Sequence, residues 1–273
     1  MGRRLFFLIA LCAAVAFAQQ DSDLIGARDA MGRGVRLMQR GNYPQAAVAF
    51  ETATRLAPTN LEAKLYLGIC YVAQFRAGSA DPRNLEFAHK AEIQFLAILQ
   101  AEPADDEALQ YMANLQWERA SGIADPAEKQ KQMERAKGWF EELEKEVPRN
   151  KEAPFMLGVM AWQEAHALWL EARARAGMSG DDPGPLKDPA ARAALSARCG
   201  PLWDEAIAQF RHAIDNDPDY DNAMGYMNLV LRDRADTAAT QADYQHQIAE
   251  AAQWTVKAMD ARKRKAQKPQ SEE

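Results

Sequence analysis

The sequence predicts an all-α fold built from repeated helix hairpins, on three observations. First, the motif A-x3-F-x7-P occurs four times. It falls at Ala46, Phe50 and Pro58; at Ala91, Phe95 and Pro103; at Ala136, Phe140 and Pro148; and at Ala206, Phe210 and Pro218, with spacings of 45, 45 and 70 residues. Second, another pattern keeps phase with it. Nine residues past each proline stand Leu67, Met112, Leu157 and Met227, followed at once by Gly68, Ala113, Gly158 and Asn228. Third, Ala46, Phe50, Ala53 and Leu56 recur at three and four residues, which is one face of a helix. Coupled repetition at fixed phase marks a stacked array rather than a single globular core.

Taken along the chain, the first element is a leader. Arg3 and Arg4 form a short basic region, Leu5 to Phe17 an apolar stretch of 13 residues, and Ala16-Phe17-Ala18 a small-x-small site before Gln19. This pattern predicts a secretory signal peptide, residues 1–18, cleaved after Ala18. The apolar run is too short for a comfortable transmembrane span, and no later run approaches about 18 residues. Cys12 invites a lipid anchor, but Leu11 before it is the wrong neighbour for that signal. The mature chain is therefore expected to be periplasmic or secreted.

Residues 19–263 are expected to form the repeat domain, with repeats over about 27–60, 61–105, 106–150, 151–220 and 221–263. In each, helix A begins just after the proline. Asn60, Asp105 and Asn150 are suited to cap it by accepting orphan N–H groups. Helix B carries Ala-x3-Phe and ends near the next proline, so that the small alanine faces a partner helix and the phenylalanine fills the space beside it. Repeats two to four are longer than the first. Their surplus contains Ala80-Asp81-Pro82, Ala124-Asp125-Pro126 and Lys187-Asp188-Pro189, and Asp-Pro is a helix start. Glu128 stands where a capping box with Asp125 needs it. The insertions are thus expected to lengthen helix B backwards, with helix A lengthening to match. Met178 to Asp188, dense in Gly, Pro and Asp, is expected to be an exposed, mobile loop. The last helix has Ala251, Thr255 and Ala258 where the phenylalanine motif would be, as suits a terminal cap. Tyr226, Asn228, Arg232 and Arg234 offer a recognition patch as the alternative. Residues 264–273 are expected to be a disordered basic and polar tail.

Gly41, Tyr43, Ala46, Phe50, Ala53 and Pro58, with Leu67, Gly68 and Tyr71, resemble the tetratricopeptide repeat (TPR) family. The resemblance covers about Ala27 to Lys263. It departs from that family in length, because the family's unit is 34 residues. It implies a TPR-like right-handed α-solenoid of about five helix hairpins with lengthened helices or insertions in repeats 2–4. It further implies an inner groove lined by helix A of each repeat. On this chain those positions include Leu65, Ile69, Gln110, Asn114, Trp117, Phe155, Val159, Trp162, Asn222 and Arg232, with Val72, Gly225 and Leu229 at the same phases. Trp117 and Trp162 share one phase in adjacent repeats; they serve either as groove anchors or as core. Glu62, Glu107 and Glu152 make either an acidic edge or first-turn charges favoured by the helix dipole.

The search for chemistry finds little. The four histidines, His89, His166, His212 and His246, are scattered, and no metal-binding spacing, Walker loop, G-x-S-x-G or G-x-G-x-x-G occurs. No catalytic residue, metal or cofactor is expected. An enzyme reading would need a pocket where histidine and carboxylates converge, and the place for it is His166, between Trp162 and Trp169. Cys70 and Cys199 remain after processing, bridged or as two free thiols. With a net charge of −6, nucleic acid is not the expected partner. The expectation is a non-catalytic scaffold binding a protein or peptide in the bacterial cell envelope. The alternatives are a self-associating structural envelope protein, hence a homo-oligomer, and an accessory domain of an enzyme or assembly complex.

Overall fold

A computed structural model describes the backbone of residues 2–267 and the side chains of residues 21–267. Among them there are ten helices and no strand. In chain order they are α1 (Gly2–Gln39), α2 (Tyr43–Leu56), α3 (Leu61–Val72), α4 (Pro82–Ala101), α5 (Asp106–Ser121), α6 (Pro126–Glu146), α7 (Glu152–Arg175), α8 (Pro189–Asn216), α9 (Asp221–Ala235) and α10 (Gln241–Gln267). Ten helices make the five expected pairs. The chain divides within α6 into unit 1, Met1–Trp139, and unit 2, Phe140–Glu273. The leader expected over residues 1–18 falls where side chains lie outside the described residues. Among the described residues no helix is long and apolar enough to cross a membrane.

The repeat motif is a packing device. Phe50, Phe95, Phe140 and Phe210, with Ala46, Ala91, Ala136 and Ala206, are all fully buried. Three of these rings rest where the facing helix has no side chain. A Cβ on Gly34 would stand 2.5 Å from the Phe50 ring, one on Gly68 2.5 Å from Phe95, and one on Gly158 2.6 Å from Phe210. Around Phe50 and Phe95, unit 1 builds a core with Leu65, Leu67, Tyr71, Ile98, Met112 and Leu115. Around Phe210, unit 2 builds one with Trp203, Met227, Val230 and Leu231. In the last pair the motif is replaced: Asn228 Nδ2 donates to the carbonyl of Ala251 at 2.7 Å, tying α9 to α10 through a hydrogen bond.

The caps form as the prolines suggest. Asn60 accepts from Ala63 N, Asp105 from Ala108 N, and Asn150 from both Glu152 N and Ala153 N. Asp81, Asp125 and Asp188 accept from Arg83 N, Glu128 N and Ala190 N at the starts of α4, α6 and α8. Only half of the capping box is made, because the Glu128 carboxylate receives Gln132 Nε2 rather than reaching back.

Three expectations are corrected. Helix A does not lengthen in the second repeat, where α3 has 12 residues, but it reaches 16 in α5 and 24 in α7. Part of the second repeat's surplus is a loop, closed by the buried Asn84, whose amide bonds both N and O of Arg76. The loop after α7 is exposed over most of its length, as expected, but strapped rather than loose. Arg173, 2% exposed, donates through Nε to Ser179 O at 2.8 Å and through Nη2 to Asp182 O, and Leu186 is fully buried. The basic end of α10 stays helical to Gln267, because Arg262 and Lys265 pair with Asp221, and Arg264 with Asp219. The remainder of the expected tail, residues 268–273, lies outside the described residues.

Gly68→Ala is expected to lower stability by about 1–3 kcal/mol through overpacking against Phe95. Gly138→Ala, where a new Cβ meets nothing within 4 Å, is expected to raise it by about 0.5–1 kcal/mol. Urea midpoints of the two variants compare them directly. Cys70 and Cys199 are free and buried, and burial pushes the Cys70 thiol up to about 11. A folded thiol raised in this way leaves the unfolded chain to ionise first. Stability therefore falls as pH rises from about 9 to about 11, by about 2–3 kcal/mol for this group. Cys70→Ala is expected to shrink that fall, while the part due to the buried Tyr71, also raised, persists. Unfolding curves at pH 8 and pH 10.5 test this.

Candidate functional site

The length of α7 places four donor-bearing side chains on one face, Trp162, His166, Trp169 and Arg173, spaced at four, three and four residues. Opposite them, the end of α9 supplies two carboxylates. Trp162 Nε1 donates to Asp233 Oδ2 at 3.0 Å, and His166 Nδ1 lies 2.8 Å from the same oxygen. Trp169 Nε1 donates to Asp236 Oδ2 at 2.7 Å, and Arg173 Nη1 donates to the same oxygen at 2.5 Å. The His166 ring stacks between the two indoles, with centroids 4.8 and 4.9 Å away, and the Arg173 guanidinium sits over Trp169. Facing the carboxylate, His166 Nδ1 is the donor of this pair.

Burial sets the electrostatics. Burial raises the Asp233 carboxyl above the usual range, against the hydrogen bonds from His166 and Trp162 that hold it down. Asp182 is held below the usual range chiefly by the bond that its carboxylate accepts from Ser179 N. Asp236 and Arg173 are an ion pair with each partner 2% exposed.

Together these residues form one wall of a cleft of about 370 Å³ within unit 2. The loop contributes Gly180, Asp181, Asp182 and Pro183, α9 contributes Leu229 and Arg232, and α10 contributes Tyr244 and Ile248. Histidine and carboxylates converge here, which is the arrangement an enzyme reading would require. The lining holds no Ser, Thr or Cys. Cys199, the nearest thiol along α8, is buried with its Sγ on Ala165 O, and burial raises its thiol.

The groove positions fall into distinct environments. Leu65 and Val159 are buried in their units' cores and present little surface. Ile69, Gln110, Asn114 and Trp117, all in unit 1, are half-buried. Phe155 belongs to an aromatic cluster with Tyr220 at 5.1 Å and Tyr226 at 5.4 Å. Trp162 is half-buried, bonded to Asp233 and edge-on to Tyr226 at 5.2 Å. Asn222 and Arg232 are exposed, and Arg232 with Leu229 stands on the cleft's rim. Of the first-turn acids, Glu152 accepts from Tyr220 Oη at 2.6 Å. Sequence reasoning missed Arg173, Asp233, Asp236 and Tyr244. The donor spacing on α7, with acids three apart in LRDRAD, was the available signal.

Helix pairs capped after prolines, locked by ring-into-glycine packing and carrying an open cleft on the helix A side, define a TPR-like repeat protein. Among solved structures the chain is similar to MamA from Desulfovibrio magneticus RS-1, residues 41 to the end. That likeness has 15% identity and a TM-score of 0.51, covering 89% of this chain and 97% of that one. A MamA RS-1 double mutant gives 14% identity and a TM-score of 0.50 over 88% and 96%. A thermophilic TPR protein from Thermus thermophilus is a looser likeness, at 16% identity and a TM-score of 0.44 over 88% and 97%. At such identities the likeness to MamA is one of fold. No family model matches the chain, and no curated protein matches it.

Asp236→Ala is expected to cost about 3–5 kcal/mol, because it strands a buried guanidinium. It should also release the loop at residues 177–188. Urea unfolding measures the first effect, and faster tryptic cleavage after Lys187 the second.

Proposed function

We propose that the chain is a non-catalytic scaffold of the bacterial cell envelope that binds a protein or peptide along the face lined by helix A of each pair. The observation that carries this reading is the unit 2 cleft. It opens on the α7 and α9 surfaces, and its rim residues Leu229 and Arg232 are exposed. Neither makes an ion pair or hydrogen bond among the described residues. Groove residues in repeat arrays are free in this way, while core residues are not. Envelope placement rests on the leader at residues 1–18, and the mature protein recovered from its host is expected to begin at Gln19.

The test is crosslinking in the native host with identification of what is caught. Leu229→Asp combined with Arg232→Glu is expected to abolish capture of the major partner, with helicity and Tm near wild type. Capture undiminished by that pair overturns the groove. Trp117→Ala tests the unit 1 positions in the same way. A second reading rests on the His166–Asp233 pair, which has the form of a general base held by a carboxylate. With no Ser, Thr or Cys in the lining it would act on a bound water, and it stands behind the scaffold reading.

A further inference from the structure

The same cleft has a chemical preference written into its unengaged atoms. Asp233 receives both Trp162 and His166 through Oδ2, and Asp236 receives both Trp169 and Arg173 through Oδ2. Among the described residues no donor bonds Oδ1 of Asp233, while Oδ1 of Asp236 packs against Gly184 of the loop. Asp181, also in the lining, has no ion pair or hydrogen bond among them. The lining carries four carboxylates, Asp181, Asp182, Asp233 and Asp236, against two guanidiniums, Arg173 and Arg232. Arg173 is engaged by Asp236, and Arg232 stands at the rim. Four carboxylates against two guanidiniums leave the cleft net negative, with the free donors of Arg232 confined to its rim.

We propose that the cleft receives a basic side chain, lysine or arginine, of the bound peptide. This rests on the groove reading and adds the chemistry of its occupant. A carboxylate 5% exposed, such as Asp233, gains far more from a cation at contact distance than a surface carboxylate does, because little water screens the pair. A long basic side chain also suits the walls. Leu229 and Ile248 offer apolar contact to its methylene stem, and Trp169 and Tyr244 offer aromatic surface. A volume of about 370 Å³ suits one such side chain with the adjoining backbone. Arg232 at the rim then meets a backbone carbonyl or a carboxylate of the peptide. The carboxylates do not converge on one point as metal ligands do: among the described residues no group of three or more His, Cys, Asp or Glu has that geometry.

The test uses the full mature chain and follows the indole N–H resonances of Trp162 and Trp169. The probes are blocked pentapeptides with one central residue, lysine, arginine, norleucine or glutamate, and separately free spermidine. The lysine and arginine peptides are expected to shift both resonances and to bind about tenfold more tightly than the norleucine peptide. Asp233→Asn should remove that advantage. Asp181→Asn, a rim change that leaves the core untouched, should reduce it about threefold, and added salt should weaken it. Equal binding of lysine and norleucine peptides, preference for glutamate, or no shift with any peptide overturns the proposal. Spermidine binding about tenfold more tightly than the lysine peptide overturns the peptide as source and assigns the cleft to a free polyamine. If cation preference is absent while the Leu229→Asp, Arg232→Glu pair still abolishes capture, only this inference falls. If capture survives that pair, the groove reading falls with it.

Discussion

A phenylalanine ring lodged where the opposite helix has no side chain is the contact on which the rest of the array depends. Glycine in a helix costs about 1 kcal/mol relative to alanine. Burying a phenylalanine contributes about 1.5–3 kcal/mol, and more when the ring is enclosed on every side. Gly34, Gly68 and Gly158 therefore weaken their own helices in favour of the pair. The seat also fixes geometry, since a ring within 3 Å of where a Cβ would be permits no sliding of one helix along the other. Each locked pair then has a defined outer face for the next to cover, which turns short helices into a cooperative structure.

The final pair abandons this lock and uses a polar one. Asn228 occupies the position of the seat glycine and bonds a backbone carbonyl of α10, while acids at the start of α9 hold the basic last turn of α10. A hydrogen-bonded junction tolerates water nearby better than a bare apolar face does, which suits an end of the array. Next to it, α7 turns the same helical geometry to another use. Its donors at spacings of four, three and four meet carboxylates that would otherwise be stranded in the core.

The parts legible in the sequence were those governed by local rules. Prolines at fixed phase placed the helix starts, and Asn60, Asp105, Asn150, Asp81, Asp125 and Asp188 cap where single-residue chemistry says they should. The buried phenylalanines followed from periodicity alone. What escaped depended on which surfaces meet. Arg173 reads as an ordinary charge near a helix end until Asp236, 63 residues away, is set beside it. Trp162 reads equally as groove or core until Asp233 fixes its indole. The division of an insertion between helix and loop also turned on a distant atom, the Asn84 amide folding back on Arg76.

The extended fourth repeat has a consequence of this kind. Its extra residues supply both the upper turns of α7 and the segment that Arg173 clasps, and these are two of the cleft's boundaries. A relative whose fourth repeat matched its second and third in length would retain the ring locks and stack as well. It would have a smooth slope in place of a walled recess, so the cleft belongs to the one repeat that breaks the rhythm.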